Sequence, residues 1–456
     1  GIRRCYPHAM QPIGRFSYLF CGVLLVVVKF AIDALVAGFF GRPWSVLLYW
    51  SPFNLSLFSL SAPERNFALT LAAVSIPFTA LGIWLTVRRL RTLRLHPWLS
   101  ILFFLPVVNL IFFAFLTATP EFSLNPLPAS SQPKPGLLEE DSPFTFFASI
   151  GVAALCACLT TWLCIHAFSA YGWGVFLGVP FGVGLLTTLL VSIPTARSFE
   201  YCFWSSVLGL ALAGLGLIAV AFEGLSCLIM CVPLALPLAA IGVLVGREIV
   251  RPGQQPLAKH SMIVTLAMVT LCPLTAATES YWKPPVEVFS VVTSVEINAP
   301  PEVVWPKVIA FPELPPPTDF VFQFGIAYPI RARIEGNGPG AIRYCEFSTG
   351  PFVEPITEWQ HARLLAFNVI SSPAPMQELS PYKIHPPHLD GFLQSKRGQF
   401  QLIPLDGGRR TRLEGTTWYS QALYPSAYWR IWTDAIIQRI HLRVLNHIRT
   451  LSERSG

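Results

Sequence analysis

Near the C-terminal end, Asp434, Gln438 and His441 recur at i, i+4 and i+7, which is one stripe of a helix. A carboxylate that orients an imidazole is a unit of general acid–base chemistry, so in a pocket Asp434 could poise His441. On an amphipathic helix the same stripe is the wet side, and both readings stand. Glu414, in "RLEGTTWYS", adds a second carboxylate, making Glu414, Asp434 and His441 the catalytic candidates. Further upstream, Arg331 and Arg333 in "PIRARIEG" are two apart on a strand and share a face. Two guanidiniums so placed could hold a carboxylate or a phosphate. Ile330, Ala332 and Ile334 form the opposite, apolar set, and a sheet covered on one side turns such a set inward. That pattern favours arginines outward.

Parity orders the other candidates. Glu346 and Arg343 face opposite ways, because their separation is odd. Glu414, Thr416 and Trp418 share one face, and Leu413, Gly415, Thr417 and Tyr419 share the other. Polar groups on whichever face turns inward would orient a ligand in an apolar pocket. Arg331, Arg333, Glu346, Trp418, Tyr419 and Trp429 are the ligand-binding candidates, with the aromatic residues equally suited to packing the sheet.

Metal and nucleophile chemistry find less support. "KIHPPHLDGF" offers His385, His388 and Asp390, but structural zinc sites need four ligands and catalytic ones three plus water. No nucleophile elbow, phosphate loop or zinc-protease signature is present, and Cys345 has no activating neighbour in sequence. Neither a metal nor a cofactor is expected. Nine of the ten cysteines fall in the first 280 residues, mostly inside apolar runs, where they act as small buried hydrophobes.

The elements that must position these residues come in two kinds. Hydrophobic residues make up 53% of the chain and charged ones 12%, against about 25% charged in soluble domains. With a mean hydropathy of +0.53, this is the composition of an integral membrane protein. Apolar blocks lie at 16–40, 67–87, 98–119, 143–168, 171–193, 201–222, 225–245 and 262–277. Most reach the roughly 20 residues a spanning helix needs. The expected organisation is an N-terminal membrane domain (1–120), a Pro/Ser-rich linker (121–142), a second helical bundle (143–280) and a soluble domain (285–456).

The net charge of +7 lies largely in short basic clusters beside apolar blocks, which reads as topology and not as nucleic-acid binding. Arg3, Arg4 and Arg15, with Arg88, Arg89, Arg91 and Arg94, place the N-terminus and the second loop inside. If all eight blocks span, the C-terminal domain is cytoplasmic, but Arg247, Arg251 and Lys259 then face outside, against the charge rule. A fold-back of block 98–119 at "PVVNL" would leave seven spans and put the domain outside, as the signal-like "KHSMIVTLAMVTLCPLTAATES" also suggests, and this is the favoured reading. Lys29 and Asp33, four apart in the first block, are expected to satisfy each other. Glu223, at the bend in "AFEGLSC", and His166 are expected to be solvated.

From residue 288 the order is strand, short helix, about six antiparallel strands and a helix over about 425–451. "SVEINAPPEVVW", "EGNGPGAIRYCEF" and "GGRRTRLEGTTWY" resemble the START-like (SRPBCC) superfamily, often labelled polyketide cyclase/dehydrase and lipid transport. The resemblance covers residues 288–453. It implies an α+β helix-grip fold, a curved antiparallel sheet wrapped round a long C-terminal helix with an apolar cavity between them. It also implies a hydrophobic ligand, such as a lipid, sterol or polyketide, with catalysis in a minority of members. Residues 12–120, through "GRFSYLF", "RRLRTLRLHPW" and "FFLPVVNLIFF", resemble the YhaH-like family of bacterial inner-membrane domains, which has no established activity.

The fold class expected is therefore a multi-pass α-helical membrane bundle of seven or eight segments followed by a START-like domain. The expected function is binding, transfer or sensing of a lipid or other hydrophobic molecule beside the bilayer, in the bacterial inner membrane. The alternative is a cyclase or dehydratase working by acid–base chemistry in the same cavity.

Overall fold

The computed structural model describes residues 13–42, 44, 62–105, 107–119, 143–193, 196–250, 257–281 and 287–454. The 121–142 stretch and Arg3 and Arg4 lie outside the described residues. The chain divides into two compact units, Gly1–Gly216 with Val232–Pro284, and Leu217–Cys231 with Pro285–Gly456.

The first unit is helical: α1 (Arg15–Phe39), α2 (Ala62–Thr92), α3 (Val108–Ala118), α4 (Pro143–Trp162), α5 (Val179–Val191), most of α6 (Phe199–Ala219) and α7 (Leu225–Ile249), and α8 (Leu257–Tyr281). The stretches 1–120 and 143–280 share one core, because α3 packs on α8 and α4 packs on both α5 and α8. Among the described residues seven helices are long and apolar enough to cross a membrane. Block 98–119 is not one of them. It breaks into a 3₁₀ helix, Pro97–Phe104, and α3, with Val107 between them at φ +63, a region that strains a β-branched residue.

The stretch Gly174–Val191, which ends in α5, is the most buried of the seven, 89% of it inside. Glycine makes its crossing with α7 possible: a Cβ on Gly184 would stand 2.1 Å from the Ala239 carbonyl oxygen. α1 is the opposite case, leaving Phe16, Phe20 and Val26 exposed. Within it, Lys29 and Asp33 form an ion pair. Arg89 is fully buried; its Nε donates to the Leu116 carbonyl at 2.9 Å and another nitrogen reaches the Thr119 carbonyl, so it caps the end of α3. His166 stacks on Trp162.

The second unit carries a seven-stranded, wholly antiparallel sheet of order β1-β7-β6-β5-β4-β3-β2. The strands are β1 (Val288–Ile297), β2 (Pro329–Glu335), β3 (Ile342–Phe347), β4 (Gly350–Gln360), β5 (Leu364–Asn368), β6 (Leu393–Leu405) and β7 (Arg410–Gln421). Two short helices, α9 (Pro301–Ile309) and α10 (Phe320–Gln323), follow β1, and α11 (Ser426–Glu453) closes the unit. α9 runs through Pro306 to Ile309, burying Val304, Trp305 and Val308. The sheet curves into a half-barrel around α11, whose Val444, Leu445 and Ile448 enter the same core as Leu365, Leu402 and Leu413. Ile436 and Ile440 leave that core to pack on Phe322, Ile326, Met376 and Leu389. There the loops after α10 and β5 meet, joined by the Gln377 N–H donating to the Gly325 carbonyl at 2.8 Å.

Candidate functional site: a cavity inside the half-barrel

Between the sheet and α11 lies a cavity of about 110 Å³. Its wall is mostly aromatic and aliphatic: Phe347 and Phe352 at the β3–β4 turn, Phe367 on β5, Phe400 on β6, and Ile437 and Val444 on α11. Alternation along the strands explains the choice. Arg343, Cys345 and Phe347 face inward on β3, Phe352 and Glu354 on β4, and Gly415 and Thr417 on β7.

Polar groups interrupt the apolar lining, and two of them are held in buried networks. Arg343 and Glu354 are register partners and form an ion pair, the guanidinium also donating from Nε to the Ile309 carbonyl at 3.2 Å. Its plane lies among Phe311, Phe367 and Phe400, 5.5–5.6 Å from their centroids. Burial pushes the Glu354 carboxyl upward, and Arg343 pulls it back. Beside the pair, burial drives the Cys345 thiol up to about 12, which removes it as a nucleophile.

The second polar group is His441. Its Nε2 lies 2.8 Å from Thr417 Oγ1 and its Nδ1 3.1 Å from Thr293 Oγ1. Either hydroxyl can donate or accept, so the two threonines suit either neutral tautomer. Burial lowers His441 to about 4, which keeps it neutral near pH 7.

The structure separates the residues of the helical stripe. His441 lines the cavity, Gln438 is exposed, and Asp434 accepts from the Tyr419 hydroxyl and meets Arg430 Nε at 3.4 Å. Among the described residues no hydrogen bond joins Asp434 to His441. Glu414 belongs to the outward set of β7 with Trp418, whose ring lies 3.8 Å beneath the Arg397 guanidinium. Tyr419 points inward and is fully buried, and burial raises its phenol above the ordinary value. Trp429 is buried at the start of α11.

Arg331 and Arg333 are exposed on the outer face of β2 and do not line the cavity. Both pair with Glu346, Arg331 Nε at 2.6 Å, and Arg333 also pairs with Glu335. Arg343 and Glu354 are the polar pair that residue-type reasoning passed over. The parity that set Arg343 against Glu346 already contained the signal, but only the direction of sheet curvature could turn it into a location.

These features define a helix-grip domain with an internal pocket. No protein-family model matches the chain, and no curated protein matches it. Solved structures similar to the C-terminal part include norcoclaurine synthase of Thalictrum flavum, a point mutant with a transition-state analogue. It is 14% identical, with a TM-score of 0.27, covering 38% of this chain and 100% of its own. The Zhui aromatase/cyclase of Streptomyces sp. R1128 is 18% identical, TM-score 0.23, covering 37% and 95%. Protein MLL2253 of Mesorhizobium loti is 12% identical, TM-score 0.23, covering 37% and 99%. Likeness of this degree says nothing of ligand or reaction.

Proposed function

We propose that this protein is a membrane-anchored binder of a hydrophobic small molecule, held between the sheet and α11. The observation that carries the reading is the cavity itself: a largely aromatic and aliphatic wall into which a few polar groups are set, Arg343–Glu354 and the His441–Thr417 pair among them, the usual design of small-molecule sites. Size narrows the ligand. A cavity of about 150 Å³ holds benzene, so the present 110 Å³ suits one ring or a short chain segment. A two-tailed lipid would require the loops or α11 to move.

The exposed apolar residues of α1 and the seven long apolar helices support anchoring in a bilayer, the environment in which such surfaces are satisfied. The break in block 98–119 supports a fold-back there, hence a C-terminal domain outside a bacterial inner membrane. A C-terminal alkaline phosphatase fusion, active only outside, tests that orientation.

The binding test is native mass spectrometry with organic extraction on the full chain in detergent, beside a Gly415→Leu variant. Gly415 lines the cavity, and a Cβ there makes ordinary contacts of 3.6–3.8 Å, so the extra atoms grow into the space. A discrete hydrophobic adduct on the wild type and none on the folded variant is the expected result. Equal adducts on both would sink the proposal.

A second reading, acid–base catalysis on the bound molecule, is favoured by one observation: His441 is a neutral imidazole in the cavity wall. Turnover of the extracted ligand by the wild type but not by His441→Gln would establish it.

A further inference from the structure

A second cluster of donor atoms lies apart from the cavity, inside the same compact unit. Glu223 and Cys227, from the Leu217–Cys231 segment, converge with His388, from the turn Pro387–Leu389, and all three are buried. One carboxylate oxygen, one sulfur and one ring nitrogen lie within 4.8 Å of one another. Glu223, expected to be solvated, is only 3% exposed because the loop carrying His388 covers it. His385, the neighbouring donor in "KIHPPHLDGF", pairs with Asp390 at 2.7 Å on the surface.

The chain builds this cluster deliberately. Ala221, with left-handed backbone at φ +57, turns the chain after α6, and α7 starts at Leu225, so Cys227 falls in its first turn. The Leu225 N–H donates to the Leu379 carbonyl at 2.9 Å and Ser226 Oγ to the Phe324 carbonyl at 2.8 Å, seating the turn on the loops. Gly224 makes the approach possible, since a Cβ there would stand 2.1 Å from Glu378 Oε2.

The distances are open to shared ligation. His388 Nδ1 is 3.4 Å from Glu223 Oε2, and Nε2 is 3.3 Å from Glu378 Oε1. Two atoms each about 2.0–2.1 Å from a tetrahedral zinc stand about 3.3 Å apart. Metal-bound histidines usually give their other nitrogen to a carboxylate, and Glu378 is placed for that.

We infer that Glu223, Cys227 and His388 form a binding site for a thiophilic divalent cation of the zinc class, with Glu378 as the positioning residue. A thiolate and an imidazole select such ions over magnesium or calcium, which take oxygen ligands. Thiolate and carboxylate neutralise the dication, and binding releases the protons held by Cys227 and His388. Three protein ligands leave a fourth position for water. The inference does not depend on what the cavity binds.

The test uses the full chain in detergent. Elemental analysis is expected to find stoichiometric zinc, and cobalt(II) exchanged for it to give a thiolate-to-cobalt charge-transfer band. Cys227→Ser should abolish that band while Cys156→Ser leaves it intact, and Glu378→Gln should weaken zinc affinity 10- to 100-fold. If Cys227→Ser does not fold, zinc-edge X-ray absorption on the wild type decides, with a single sulfur among lighter scatterers expected. No bound metal, a band that survives Cys227→Ser, or a zinc shell without sulfur or rich in it would each overturn the proposal.

Discussion

Arg343 on β3 stands directly opposite Glu354 on β4, and their ion pair is sealed on the inner face of the sheet, the side chains only 2% and 8% exposed. Breaking such a pair leaves a buried charge without its counterion, which costs about 3–5 kcal/mol. Arg343→Met is therefore expected to lower stability by that amount, and Arg343→Met with Glu354→Leu to recover most of it. Thermal unfolding of the full chain in detergent checks both. A double variant no more stable than the single one would show that the pair is not the source.

His441 makes stability pH-dependent. Its folded-state pKa is about 4 against 6.5 unfolded, so between these values the unfolded chain binds the extra proton. Above pH 6.5 both states are neutral and His441 contributes nothing to the slope; as pH falls from 6.5 towards 4, stability falls, by about 3 kcal/mol in all. Unfolding midpoints measured across that window should drop, and His441→Gln should flatten the drop. An unchanged slope in the variant would assign it to other groups.

Arg331 and Arg333, suited by type to clamp an anionic head group, instead pair with Glu346 on the outer face. The double variant Arg331→Ala/Arg333→Ala is expected to keep both the melting temperature and the retained ligand of the wild type, since exposed ion pairs contribute little. Loss of the ligand, read by native mass spectrometry, would restore the clamp.

In the helical unit, Gly184→Leu should be among the most damaging single changes, because its Cβ would meet the backbone of α7. A loss of about 3 kcal/mol or more is expected, since a helix backbone cannot step aside as a side chain can. Gly38→Leu, with nothing within 4 Å of the added Cβ, is the matched control. Monodispersity in detergent separates the two. Equal behaviour would place the α5–α7 crossing elsewhere.

Much of this architecture was legible in the residues. Strand pairs around "EGNGPG" and "DGG", the short helix after "NAP" and the long closing helix all appear where alternation and helical spacing put them. The inward set Leu413, Gly415, Thr417 and Tyr419 was separable from Glu414, Thr416 and Trp418 by parity alone. What parity lacked was a sign. Curvature of the whole sheet around α11 decides which set faces the cavity, and so makes Arg343 an inner residue and Arg331 an outer one. The same limit applied to the stripe Asp434, Gln438 and His441, which spans half-buried, exposed and cavity-facing positions on one helix.

The sequence by itself determined the two kinds of segment and the order of elements, because apolar run length and side-chain periodicity are local properties. Only the tertiary structure decided the pockets. Arg343 met Glu354 through strand register, and Glu223 and Cys227 met His388 through a turn and a loop far apart in the chain. Such meetings are set by how the sheet bends and where the loops close, and no period in the sequence encodes either.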